Sequence, residues 1–130
     1  MGDLQDIAIV GIGCRFPGAD NLEEFWRVLR NGENHVKEVP ASRWNLDVFF
    51  DPDPNTPGKT YVRNAGFVKG VEEWDHRFFG LNDMEAELVD PQQRLVLECV
   101  HMALEDGGIR RNDIDGSDTA VYIGTHDELI

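Results

Sequence analysis

The stretch that decides the fold is Asp90-Pro-Gln-Gln-Arg-Leu-Val-Leu-Glu-Cys-Val-His-Met-Ala-Leu-Glu-Asp106. Its first residues are a helix start. Asp90 can accept bonds from the unpaired N–H groups of the first turn, Pro91 suits the first helical position, and Gln93 can reach back. Gly107-Gly108 marks the end. In between, Leu95, Val96, Leu97, Cys99, Val100, Met102, Ala103 and Leu104 occupy most of the circumference. A helix that is apolar nearly all round is buried, and needs layers above and below it. The chain has 130 residues. It can hardly provide both layers alone, so the expectation is that further chain or a partner completes them.

Working outward, two apolar runs read as buried strands. Ile7-Ala-Ile-Val10 is rich in β-branched residues and closed by Gly11. Thr119-Ala-Val-Tyr-Ile123 is the second, ended by Gly124. Leu22 to Arg30 reads as an amphipathic helix, with Leu22, Phe25, Trp26 and Leu29 on one face. Asp20 or Asn21 can cap its start, and Gly32 can end it in the left-handed conformation. Asn82-Asp-Met-Glu85 has the spacing of a capping box. Residues 33–70 look irregular, because Pro52, Pro54 and Pro57 remove backbone donors. Thr60 to Val68 is the place for a short exposed hairpin or arm. The order is strand, helix, long excursion, buried helix, strand, which is an α/β pattern.

Charge excludes several functions. The formal net charge is −13, with 12 Lys and Arg against 25 acids. That leaves no basic stripe for nucleic acid and disfavours anionic membrane surfaces. No apolar run approaches the ~20 residues that span a bilayer. The acidic, polar start from Met1 to Asp6 does not read as a signal peptide. Two cysteines, Cys14 and Cys99, are too few for a disulfide scaffold, and a reducing, cytoplasmic setting is expected.

Several motifs invite chemistry. Gly11-Ile-Gly13 after a strand suggests a dinucleotide fingerprint, but Phe16 stands where the third glycine belongs, so a tight turn is expected. Asp51, Asp53 and Asn55 imitate the start of a calcium loop, but Thr56 and Val62 occupy the positions of its glycine and glutamate. A proline-stiffened surface loop is expected there. Cys14 is a nucleophile only if a histidine or helix N-terminus lowers its pKa. No sequence context links His35, His76, His101 or His126 to it, so Cys14 and Cys99 read as packed thiols. His126 follows the second strand, where sites of α/β sheets often lie. Trp26, Trp44, Trp74, Phe49-Phe50 and Phe78-Phe79 read as core or interface aromatics.

Taken together, Ile7-Ala-Ile-Val-Gly-Ile-Gly-Cys-Arg-Phe-Pro-Gly18, Phe25-Trp26 and Val39-Pro-Ala-Ser-Arg-Trp44 resemble the opening of modular polyketide ketosynthases. Phe78-Phe-Gly80, Glu85-Ala86, Asp90-Pro-Gln-Gln-Arg-Leu95, Ala103-Leu-Glu-Asp-Gly107 and Val121-Tyr-Ile-Gly124 continue the resemblance. The wording of Glu98 to Gly107 is similar to animal-type polyketide or fatty acid synthases. Leu81-Asn-Asp-Met84 stands where the family usually has Ile-Ser-Pro-Arg, a change in a helix entry.

The resemblance implies the N-terminal portion of a thiolase-like fold, layered α/β/α/β/α, with residues 1–130 as one piece of a β-ketoacyl synthase domain. It implies decarboxylative Claisen condensation in polyketide or fatty acid elongation. The acyl groups ride on the phosphopantetheine of an acyl carrier protein, with no cofactor bound directly. It implies as partners the remainder of the domain, the carrier protein, an adjacent acyltransferase domain and a second copy in a homodimer. The family's Cys-Ser-Ser nucleophile motif and its two histidine motifs do not occur in these 130 residues. No catalytic, cofactor or metal residue carries over, and the chain alone is expected to be inactive. The alternatives are a non-catalytic scaffold derived from a ketosynthase, or a small thiol enzyme using Cys14.

Overall fold

The structure is a computed structural model and describes residues 6–124. Five helices and two short strands follow one another: α1 Leu22–Asn31, β1 Val36–Glu38, α2 Leu46–Phe49, β2 Asn64–Gly66, α3 Asp83–Leu88, α4 Pro91–Asp106 and α5 Arg111–Ile114.

The capping chemistry is as the residues imply. Asn21 accepts the Glu24 N–H of α1, and Gly32 ends that helix at φ 62°. Asn82 and Glu85 form a reciprocal capping box on α3, so the altered helix entry at Leu81 to Met84 keeps a working cap. The Asp90 carboxylate accepts the Gln92 N–H at 2.7 Å, so the cap of α4 closes on Gln92 rather than through a return bond from Gln93. Arg94 then reaches back to the carbonyls of Val89 and Ala86 at 2.9 and 3.1 Å. It thereby satisfies the end of α3 and ties that helix to α4.

The long excursion is more ordered than its prolines suggest. β1 and β2 pair antiparallel, Lys37 opposite Ala65. The strand inside Thr60 to Val68 therefore pairs with residues 36–38 instead of folding back on itself. Between them α2 leads into a closed loop. Asp51 N–H donates to the Thr60 carbonyl and Thr60 N–H to the Phe49 carbonyl, at 3.0 and 2.8 Å. Arg63 lies over the Phe50 ring and pairs with Glu38. Asp51 and Asp53 accept backbone N–H groups two residues on, which makes successive local turns.

Three expectations of burial fail. Residues 7–10 and 119–123 form no ladder. Ile7 and Ile9 are 95% and 81% exposed, and Val121 and Tyr122 are 75% and 92% exposed. No residue of α4 is buried either. The reason is the same in each case. A buried strand or an all-round apolar helix is covered by neighbouring layers, and the only sheet among the described residues is the two-stranded β1–β2 pair. The whole chain exposes 11078 Å². A compact protein of this mass exposes about 6,900 Å². Among the described residues the buried core is Cys14, Ala19, Val39 and Ala86.

Candidate functional site

The best-organised part of the molecule is where residues 10–16 cross α4. Glycine makes the crossing possible. A Cβ on Gly11 would stand 2.1 Å from the Ala103 carbonyl oxygen, and one on Gly13 would stand 2.1 Å from that of Cys99. The two glycines of the Gly-Ile-Gly motif are thus contact residues against a helix backbone, a role the reading as a tight turn did not contain. The tight turn itself comes next. Phe16 and Ala19 exchange both backbone hydrogen bonds around Pro17-Gly18, with Gly18 at φ 84°, the form of a type II turn.

Polar bonds lock the crossing at both ends. Ile12 N–H donates to the Asp106 carboxylate at 2.9 Å. Arg15 donates to Glu98 of α4 at 2.5 Å and to the Lys69 carbonyl at 2.7 Å, with Asp20 at 3.9 Å. The Arg15 and Glu98 side chains are 16% and 24% exposed. One guanidinium therefore joins the turn, the helix and the end of the excursion. The sequence carries a signal for this pair. Arg15 is the lone charge between Ile7 and Ala19, and Glu98 the lone formal charge between Leu95 and Leu104. Two opposite charges isolated in apolar segments are each other's natural partner.

The cysteines lie in the same crossing. Cys14 is buried, and burial pushes its thiol pKa up. Burial likewise raises Cys99, against the lowering effects of the Arg15 charge and its N–H. A raised pKa keeps the sulfur as a thiol, the opposite of what nucleophilic attack needs. His35 bonds Glu33 at 2.9 Å, His76 bonds Asp83 at 2.9 Å, and His101 lies 3.4 Å from Glu105 and against the Phe78 ring. The described histidines thus turn to carboxylates and do not approach Cys14. His126 lies outside the described residues. Beside α4 Trp74 stacks on Phe79, whose ring meets that of Phe78 edge to face, and Phe16 stacks on Phe25 of α1 at 4.3 Å. These aromatics pack one another. A mostly apolar hollow of about 560 Å³ lies along the first turns of α4, between Leu81, Val96, Leu97 and Ile123, with the amides of Gln92 and Gln93 at its edge.

Known proteins match this arrangement over most of its length. The polyketide synthase PksL of Bacillus subtilis is 41% identical over 129 residues, covering 94% of this chain and 3% of that protein. The polyketide synthase GfsB of Streptomyces halstedii is 44% identical over 124 residues, covering 94% of this chain and 2% of that protein. The chain thus spans only a small part of the length of these relatives. Among solved structures, an oxazolomycin ketosynthase domain from Streptomyces albus superposes with a TM-score of 0.77 at 44% identity, over 83% of this chain and 19% of that one. The ketosynthase from module 6 of the bacillaene synthase of B. subtilis gives 0.73 at 36% identity, over 82% and 18%. These are thiolase-like α/β domains, and the described residues reproduce part of that fold. The β-ketoacyl synthase N-terminal domain family matches residues 4–128, and the chain belongs to it.

Proposed function

We propose that this chain is the N-terminal portion of a β-ketoacyl-acyl-carrier-protein synthase that elongates polyketide or fatty acid chains, and that its residues supply scaffold rather than catalytic groups. The observation that carries this reading is the family match over residues 4–128. In the reaction a cysteine takes the acyl chain from a carrier-protein thioester, releasing the carrier thiol. A malonyl extender loses CO2, and its enolate carbon attacks the acyl-cysteine thioester. The cysteine thiolate leaves as the new carbon–carbon bond forms. This is covalent catalysis with electrostatic stabilisation of the enolate.

The cysteine and the two histidines come from chain beyond these residues in this reading. Nothing in the crossing of α4 by residues 10–16 is set up for nucleophilic work, since Cys14 is buried, Cys99 is half-buried, and burial raises the pKa of both thiols. The acyl carrier protein, an acyltransferase domain and a second copy of the synthase are the partners. Both cysteines are free, which suits a reducing cytoplasm.

The test is a chimera. Residues 6–124 replace the matching segment of the bacillaene module 6 ketosynthase, and acyl loading from an acyl thioester is followed by mass spectrometry. The chimera should load at its own nucleophile, and this chain alone should not. Acylation of Cys14 in the isolated chain would overturn the reading. A folded chimera that never loads would favour the scaffold alternative.

A further inference from the structure

One side of α3 is turned inward and the other is bare. Ala86 is buried, and its carbonyl accepts from Arg94 at 3.1 Å. Met84 and Leu88 are 76% and 87% exposed. They are four residues apart, so their side chains are neighbours on one face. At about 100° per residue, Glu87 flanks this pair on one side with Asp83 behind it, Glu85 flanks it on the other, and Ala86 lies opposite. All three carboxylates are exposed. From Leu81 to Asp90 the chain carries Asp83, Glu85, Glu87 and Asp90 and no lysine or arginine. The nearby Arg77 is taken up by Asp83 at 3.2 Å, and Glu85 accepts the Asn82 N–H at 2.9 Å. Glu87 makes no ion pair among the described residues. Asp83 and Met84 also stand where the family's usual wording has Pro and Arg, so this acidic and apolar face is particular to the chain.

We propose that the outer face of α3 is a docking surface for a cationic amphipathic segment of another protein, which sets an apolar side chain against Met84 and Leu88 and lysine or arginine against Glu85 and Glu87. Charge complementarity selects this occupant. A wholly apolar or an acidic partner would cover the carboxylates on both flanks without supplying a counter-charge. Methionine suits such a surface, because its flexible thioether adapts to the side chain it meets. The helix has six residues. The contact therefore buries less than the ~1,200 Å² of a stable interface and is weak and salt-dependent.

The probe is a fluorescently labelled Leu/Lys amphipathic peptide of about fourteen residues, roughly four helical turns. It is titrated with the 130-residue chain and with the chimera, and binding is read by anisotropy. Met84→Arg should weaken binding about tenfold and Glu87→Lys about fivefold. Glu23→Lys makes the same change of charge on α1 and should alter binding less than about twofold. Added salt should weaken binding, and a Leu/Glu peptide should not bind. Circular dichroism checks that each variant keeps its helices. Binding that ignores Met84→Arg and Glu87→Lys, or moves equally with Glu23→Lys, overturns the proposal, because net charge or other exposed segments then account for it. A peptide that binds neither protein overturns it as well. So does one that binds the chain and not the folded chimera, since the rest of the domain then covers α3.

Discussion

Gly13 shows how much depends on one missing methyl group. Its Cα faces the Cys99 carbonyl so closely that a Cβ would overlap it. Backbone on both sides leaves no flexible atom to yield. In the chimera with a ketosynthase remainder, Gly13→Ala should lower stability by about 3 kcal/mol or more, read as a shift of the urea midpoint. Gly32→Ala meets no atom within 4 Å but keeps a φ of 62°, so it should cost about 1 kcal/mol through backbone strain alone. Cys14 gives a second test at this scale. Burial raises its pKa, so its reaction with a thiol reagent should be slow in the native chain and fast in denaturant. Equal rates in both states would mean the thiol is not packed as described.

Among elements, the Arg15–Glu98 pair is the main polar tie of the first turn to α4. Removing one partner leaves a largely buried charge uncompensated. In the same chimera, Arg15→Met or Glu98→Leu should each cost about 3 kcal/mol, and the double variant should recover most of that in a double-mutant cycle. The tie between His76, Arg77 and Asp83 is exposed and acts through pH. Hydrogen bonds from His76 first, then Arg77, hold the Asp83 carboxyl below its ordinary value. A depressed folded pKa contributes stability above the unfolded carboxylate pKa of about 3.9, and the contribution is lost as pH falls through the folded value. His76→Ala should therefore raise the Asp83 titration midpoint, measured by carboxyl-carbon NMR, and remove part of the fall in stability below about pH 4. An unchanged midpoint would show that the hydrogen bond does not form in solution.

At the scale of the whole molecule the governing fact is exposure. With 11078 Å² in contact with water, the chain buries too little apolar surface for a steep, cooperative unfolding transition. The isolated chain should bind a hydrophobic dye and exchange the amides of residues 7–10 and 119–123 within seconds. In the chimera with a ketosynthase remainder, the same amides should become protected over hours, read by hydrogen exchange and mass spectrometry. Rapid exchange in a folded chimera would contradict strand pairing of these segments.

The sequence by itself determined what depends on neighbours along the chain. The caps at Asn21, Asn82 and Asp90 and the bounds of α1 and α4 are local, because they follow from hydrogen bonds two to four residues long and from side-chain period. The family was legible for a related reason, since Asp90 to Arg94 and Ile7 to Gly18 carry its wording in contiguous runs. Tertiary structure alone decided that β2 pairs with β1 and that Gly11 and Gly13 serve a helix contact, and it brought together Arg15 and Glu98, 83 residues apart, whose isolation in apolar segments is the one hint of their pairing in the sequence. It also decided burial. Ile7 to Val10 and Val121 to Ile123 have the composition of a core, but composition states only what a segment favours. Whether it is covered depends on which layers lie against it.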